Sequence, residues 1–325
     1  MRFAIVGSNF IADRFVRAAR ECENLVLQTA YSRTREQALQ NAERWGTKSA
    51  CWDFAELSRD QNIDAVYIAS PNAFHYQQIG SMLLAGKHVL CEKPIVPSEK
   101  ELIPLLEQAG KRGLLLLEAM RPAHLPALET IRELLPKLGT LRYAEFPYAQ
   151  YSSRYDRFKE GIVDNAFNPT LANGALMDLG VYCVHWMVML LGEPGKVVSL
   201  ASFIDDSIDV CGSALCDFGG MQVHLCYSKV HQSLRPAVIE GEAGSLTLSP
   251  FPIPTQAELR FRSGETTLIP LETREHDMAY EIFRFMKMTK NPGLAEPYHR
   301  WTQSTLRVMD AIRAENGIDF AKRKH

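Results

Sequence analysis

The run Val89-Leu90-Cys91-Glu92-Lys93-Pro94 sets an acid and a base directly after an apolar triplet and closes with a proline. Residues 89–91 read as a buried strand of a parallel sheet, since such strands are covered on both faces and lose the in-out alternation. Ligands of these sheets bind beyond the carboxyl ends of the strands, which is where Glu92 and Lys93 emerge. Pro94 stops the strand because it has no N–H to give the ladder. Lys93 is therefore the first candidate for a catalytic group. A solvated Glu-Lys pair capping a strand is the alternative.

Such a lysine needs a scaffold, and the first third of the chain supplies one. Apolar runs predict strands at residues 3–6, 25–31, 65–69, 89–91 and 114–117. Helical spacing of apolar residues predicts helices over 10–20, 35–45, 74–84 and 99–111. Strands alternating with helices imply right-handed crossovers and an α/β, doubly wound parallel sheet of the Rossmann kind.

The turn after the first strand is Gly7-Ser8-Asn9-Phe10-Ile11-Ala12. A dinucleotide fold wants glycines at the first, third and sixth places, for the turn, for approach of the pyrophosphate and for helix packing, with alanine accepted at the last. Asn9 stands at the third place, where it is expected to tolerate a left-handed backbone, and Ala12 at the sixth. Gly7, Asn9, Phe10 and Ile11 are thus candidate cofactor-binding residues. The second strand ends in Ser32 and Arg33 with no acid to hold a ribose 2′-hydroxyl, so NADP is preferred over NAD. Arg33 as a solvated residue opening the next helix is the alternative. Ser70, Pro71 and Asn72, with His75 at the next helix start, lie at the same sheet edge and are expected to wall the cofactor crevice.

The 325 residues call for two domains. Residues 1–120 would bind the dinucleotide and residues 121–325 would bind substrate and form oligomer contacts, with the last helices packing back on the first domain. A net charge of -2 gives no field to attract nucleic acid or acidic membrane. The basic run Lys322-Arg323-Lys324 is expected to be a frayed tail. Seven cysteines without a CxxC pair argue against a disulfide framework and a metal cluster, and for a reducing, cytoplasmic setting. No secretory signal is expected, because residues 2–6 run into a glycine. The apolar stretch 175–191 contains Asp178 and His185 and is expected not to span a bilayer.

In the second half, residues 141–148 read as a strand followed by the polar aromatic segment 150–156, either a polyol-contacting wall or an exposed loop. Short apolar runs between 197 and 270, separated by Gly, Asp, Ser and Pro, predict an open, mostly antiparallel sheet. An uncovered face of such a sheet calls for a homodimer or higher homo-oligomer. Helices over 279–288 and 301–314 close the chain.

Taken in order, Gly7 with Ile11-Ala12, Ser70-Pro71-Asn72 with His75, Gly86-Lys87-His88-Val89, Glu92-Lys93-Pro94 and residues 174–182 (GALMDLGVY) resemble the glucose-fructose oxidoreductase, inositol dehydrogenase (Gfo/Idh/MocA) family. The resemblance implies a Rossmann domain followed by an α/β domain with an open, mostly antiparallel sheet, and nicotinamide-dependent hydride transfer. It implies a catalytic or substrate-orienting role for Lys93 and a contact with the cofactor side for Glu92. Four residues after Asp178 stands Tyr182, as in the glucose-fructose oxidoreductase and dimeric dihydrodiol dehydrogenase branch. Three features depart from the family pattern: Asn9 replaces the middle glycine, Ala172-Asn173-Gly174 keeps one glycine of three, and Arg121 lies two residues out of phase with the family's arginine, whose cofactor contact it is the candidate to make.

With that motif around it, Tyr182 joins Lys93 as a proton-transfer pair for a carbinol. A lysine ammonium about 4 Å from a phenol oxygen favours phenolate by about 4 kcal/mol at an effective dielectric near 20. Asp178, four residues earlier and on the same face of a helix, would hold Lys93 charged or bind a substrate hydroxyl. His185 is expected in the core. The substrate would be a small molecule, a sugar, polyol or cyclic diol. A glycosidase that keeps NAD bound and a non-catalytic nucleotide sensor are the competing functions.

Overall fold

The structure is a computed structural model that describes residues 1–204 and 208–320. The basic run 322–324 lies outside the described residues. Two compact units are present, one made of Met1–His124 with Arg274–Arg300, the other of Leu125–Thr273 with the segment from Trp301 onward.

The first unit runs β1 (Arg2–Val6), α1 (Phe10–Ala19), β2 (Val26–Tyr31), α2 (Arg35–Trp45), β3 (Ser49–Cys51), α3 (Phe54–Arg59), β4 (Ala65–Ile68), α4 (His75–Leu84), β5 (His88–Glu92), α5 (Glu99–Lys111), β6 (Leu116–Ala119) and α6 (Arg121–His124). All strands are parallel in the order β3-β2-β1-β4-β5-β6, so the order reverses between β1 and β4. That reversal opens a crevice at the carboxyl edge, where α/β sheets take their ligands. The three-residue β3 and its helix α3 were not expected.

The second unit runs α7 (Ala127–Leu134), β7 (Leu141–Ala149), α8 (Tyr155–Lys159), α9 (Val181–Leu191), β8 (Lys196–Ile204), β9 (Ile208–Asp217), β10 (Gln222–Ser228), β11 (Ala237–Gly241), β12 (Gly244–Ser249), β13 (Gln256–Phe261) and β14 (Thr266–Pro270). Eight strands form one sheet in the order β14-β13-β12-β11-β7-β10-β9-β8. Every pair is antiparallel except β7 with β10. Helix α9 is buried on all sides over residues 181–189, as a helix apolar all round must be. The segment Pro169–Leu191 is long and apolar enough to cross a membrane, but its most apolar 18-residue window is 83% buried within the fold. Trp186, inside it, donates its indole N–H to Pro252 O at 2.9 Å.

Two more helices follow, α10 (Met278–Met288) and α11 (Glu296–Glu315). α10 completes the core of the first unit: Phe285 lies 5.6 Å from Phe3, which lies 5.7 Å from Phe15, which stacks on Tyr67 at 3.8 Å. Each such buried ring removes apolar surface worth roughly 1.5–3 kcal/mol from water.

Candidate active site

Gly7 follows β1 with φ +126, and a Cβ there would meet Ala69 O at 2.6 Å. Only glycine lets the first turn pass so close to the end of β4. Asn9 is the N-cap of α1, with φ -89 and ψ 174, which corrects the expectation of a left-handed residue. Its Oδ1 accepts Ala12 N at 3.1 Å and its Nδ2 donates to Ala69 O at 3.0 Å. Both polar ends of the side chain are thus spent on the turn itself, and Asn9 staples β1 to β4 at the crevice. Phe10 is 60% exposed at the first position of α1, while Ile11 turns its side chain onto the core. The open backbone at this helix N-terminus is suited to an anion such as a pyrophosphate.

At the end of β2, Ser32 Oγ lies 3.3 Å from Ser8 Oγ, which accepts Asn41 Nδ2 at 2.9 Å. Arg33 is exposed, and Thr34 caps α2 through Gln37 N. Arg35 lies over the Trp52 ring at 5.3 Å. Residues 31–34 of this strand end include no Asp or Glu, and the Ser32 hydroxyl and Arg33 guanidinium are groups suited to a 2′-phosphate.

After β4, Ser70 Oγ donates to Gln78 Oε1 at 2.5 Å, and Pro71 precedes a short 3-10 turn over Asn72–Phe74. His75 is fully buried, with Nδ1 3.1 Å from Pro94 O and Nε2 2.8 Å from Ser70 O. Burial pushes its pKa down. It therefore braces the two loops from beneath, which corrects its assignment to the crevice wall.

Glu92, the last residue of β5, is also turned inward. Its Oε1 accepts Tyr67 OH at 2.5 Å and its Oε2 accepts Lys93 N at 3.3 Å. Burial raises its pKa, against the Tyr67 hydrogen bond and the charges of Lys93 and Arg121, which lower it. Its side chain is an internal support for Lys93 rather than a cofactor contact. Lys93 itself is half-buried at the edge.

Arg121 pairs with Asp277 at 2.6 Å with only 13% of its side chain exposed, and Arg14 reaches the same carboxylate at 3.0 Å. The guanidinium expected on the cofactor thus has an internal partner, supplied by a residue the sequence did not single out. Beside it lies Glu281, fully buried, with neither carboxylate oxygen hydrogen-bonded among the described residues. Burial first, then the neighbouring Glu92 charge, pushes its pKa well up.

In the second unit, Gly174 has φ +144, and a Cβ there would meet Asp209 Oδ1 at 1.9 Å. Asp209, fully buried on β9, accepts Leu176 N at 2.7 Å and so anchors the start of the motif helix. The one glycine kept of the family's three is the one this contact demands. Residues Leu176–Gly180 form a π-turn before α9, so Asp178 and Tyr182 are not spaced as on a regular α-helix. Asp178 Oδ2 pairs with Lys229 Nζ at 3.0 Å, a partner the sequence reading did not foresee. Tyr182 is 5% exposed, its ring edge-on to Tyr148 at 5.6 Å. His185 is buried, 3.0 Å from Thr305 Oγ1, with its pKa pushed down to about 3 by burial, which makes it a neutral core residue. In the aromatic segment, Tyr151 OH donates to Asp156 Oδ1 at 2.6 Å. Lys229 and Asp209 left only a faint sequence signal, a charge at the end of one apolar strand and at the start of another.

The first unit therefore brings together Gly7, Asn9, Phe10, Ser32, Arg33, the 70–72 loop and Lys93 at one sheet edge, and the second brings together Asp178 and Tyr182 at one helix start. Among the described residues no group of three His, Cys, Asp or Glu side chains is placed to hold a metal, and all seven cysteines are free.

A switch-point crevice with a glycine turn at its mouth and a lysine at its edge is the layout of a Rossmann dinucleotide site. Residues 1–119 match the family described as "Oxidoreductase family, NAD-binding Rossmann fold", and residues 129–247 match the GFO/IDH/MocA C-terminal domain. The chain belongs to the GFO/IDH/MocA family and is an NAD(P)-dependent oxidoreductase. It is 37% identical over 322 residues to scyllo-inositol 2-dehydrogenase (NADP(+)) IolU of Bacillus subtilis, covering 98% of each chain. It is 27% identical to trans-1,2-dihydrobenzene-1,2-diol dehydrogenase of Macaca fascicularis, covering 100% of this chain and 99% of that one. KijD10, a 3-ketoreductase from Actinomadura kijaniata solved with NADP and TDP-benzene, has the same fold, with a TM-score of 0.87 at 23% identity over 97% of this chain and 98% of that one.

Proposed function

We propose that this enzyme transfers a hydride between NADP and a carbinol or carbonyl of a cyclic polyol, sugar or cyclic diol, with Lys93 and Tyr182 as the proton-transfer pair. The observation that carries the reading is the end of β2, where a half-buried Ser32 and an exposed Arg33 stand in a run, residues 31–34, that contains no Asp or Glu. A 2′-phosphate gains charge-assisted hydrogen bonds there, and a bare ribose hydroxyl finds no carboxylate. The likeness to an NADP-dependent inositol dehydrogenase supports the same cofactor and substrate class.

NADP, when bound, accepts or donates the hydride at its nicotinamide C4. The backbone at Gly7–Phe10 holds the pyrophosphate and Ser32 with Arg33 the 2′-phosphate. In the oxidising direction the carbinol would give its hydride to the bound cofactor and its hydroxyl proton to the pair formed by Lys93 and Tyr182. Asp178 accepts a hydrogen bond from a neighbouring substrate hydroxyl. In the reducing direction the same proton returns. The enzyme works as a cytoplasmic homodimer or larger homo-oligomer.

Calorimetry of the cofactor-stripped protein tests this first. NADPH is expected to bind at least about tenfold tighter than NADH, a gap of about 1.4 kcal/mol, and Arg33→Ala is expected to erase the gap. Tighter NADH binding overturns the cofactor assignment. Tyr182→Phe and Lys93→Met are expected to bind NADPH normally and lose about 100-fold or more in turnover of scyllo-inositol. Full activity in either variant removes the proton-transfer pair.

A further inference from the structure

We infer that Lys229 is a positioning residue that fixes Asp178 for substrate recognition, an inference that rests on the function proposed above. Lys229 follows β10 and its side chain is 2% exposed. A lysine ammonium is withdrawn from water only where charges and dipoles replace its hydration shell. Here Nζ lies 3.0 Å from Asp178 Oδ2, donates to Ala166 O at 2.7 Å, and sits 4.8 Å from the centre of the Phe167 ring. The backbone of the same residue is equally committed: its N donates to Val210 O at 2.8 Å, and its O accepts Ser152 N at 2.9 Å.

One residue thus ties together β9, the aromatic segment 150–156, the 165–167 turn and the motif aspartate. Phe167 in turn stacks on Phe158 and Tyr155 at 5.0 and 5.8 Å, so the turn that Lys229 holds carries the ring cluster. Asp178 keeps 39% of its side chain exposed in spite of its buried partner. A partly exposed carboxylate held by a buried ammonium keeps one orientation toward an incoming hydroxyl. Packing alone asks for no cation here, because an apolar side chain would fill the same space. Asp209 on the adjoining strand grips Leu176 N at 2.7 Å, so the strand ends beneath the motif helix hold it by one cation and one anion.

The test uses Lys229→Ala, Lys229→Met and Asp178→Asn in the full chain, with NADP and scyllo-inositol as probes. Lys229→Ala is expected to lose about 100-fold in kcat/KM, since displacement of a substrate-positioning group by about 1 Å costs that much, with NADPH affinity unchanged. Ethylammonium, a small cation able to enter the vacated channel, is expected to restore turnover saturably in Lys229→Ala and not in Asp178→Asn. Lys229→Met keeps the volume of the stem and serves if the alanine variant does not fold. Wild-type kcat/KM in either folded variant overturns the inference, as does a loss that ethylammonium leaves untouched. Should the wild-type protein itself not turn over scyllo-inositol, the function has failed and hydrogen exchange decides the positioning separately. Amides of 165–180 are then expected to exchange faster in Lys229→Ala and to slow again with ethylammonium, and unchanged exchange overturns it.

Discussion

A methyl group on residue 7 has nowhere to go, with Ala69 O at 2.6 Å. Gly7→Ala must part β1 from β4 at the crevice, and a loss of at least about tenfold in NADPH affinity is expected by calorimetry. Asn9→Ala is a different case, because it removes the helix cap and the staple to Ala69 while leaving the turn in place. It is expected to cost about 1 kcal/mol in urea unfolding. Glu281 has the opposite sign. Its folded-state pKa lies well above the ordinary carboxyl range, so the folded protein binds a proton that the unfolded chain releases, and stability falls as pH rises from about 4.3 through that raised value. Glu281→Met is expected to flatten this fall and to raise stability near neutral pH by about 1–3 kcal/mol, read from denaturant melts at several pH values. Lys93, Gly7 and Ser32 with Arg33 were legible in the sequence because strand ends and a short turn are local patterns. The partners of Arg121, Asp178 and Glu92 were not, since Asp277, Lys229 and Tyr67 are brought to them by tertiary structure from far along the chain.

At the scale of elements, the motif helix departs from a regular one. Its opening π-turn is held by Asp209 on a strand 33 residues away, and periodicity in sequence assumes the α-helical repeat throughout. Gly174→Ala would set its Cβ 1.9 Å from the carboxylate that does the holding. The variant is expected to lose about 100-fold in kcat/KM while its NADPH affinity, which belongs to the other unit, stays unchanged. Helix α2 was read with its exact bounds because Thr34 and Gly46 punctuate it at both ends. β3 escapes the sequence pattern because its three residues, one exposed and two half-buried, carry no period. The parallel pairing of β7 with β10 makes the second sheet more than a meander, and pairing between strands so far apart in the chain leaves no local trace.

At the scale of the whole molecule, one face of the second sheet carries apolar side chains into solvent. Val198 pairs across strands with Leu215, and they are 48% and 54% exposed beside Leu200 at 79%. A contiguous patch of this kind is the expected seat of self-association. Light scattering is expected to show the wild-type protein as a dimer or larger and Leu200→Glu shifted to monomer at the same concentration. An uncovered sheet face is expected from the short apolar runs between 197 and 270, and the return of α10 to the first unit, expected of the closing helices, is made by the packing of Phe285 on Phe3.

That return has a consequence in time. Phe3 and Phe15 share a core with Phe285 and Met288, which are translated only after nearly all of the second unit. At about 5–20 residues per second the wait is on the order of ten seconds or more. Throughout it the nascent Rossmann sheet carries an apolar flank with no helix to cover it. Residues 1–124 made alone are expected to bind a hydrophobic dye and to aggregate, and a peptide of residues 274–300 supplied in trans is expected to suppress both. The chain's own synthesis thus begins the nucleotide-binding half early and leaves it open until residues 274–300 emerge.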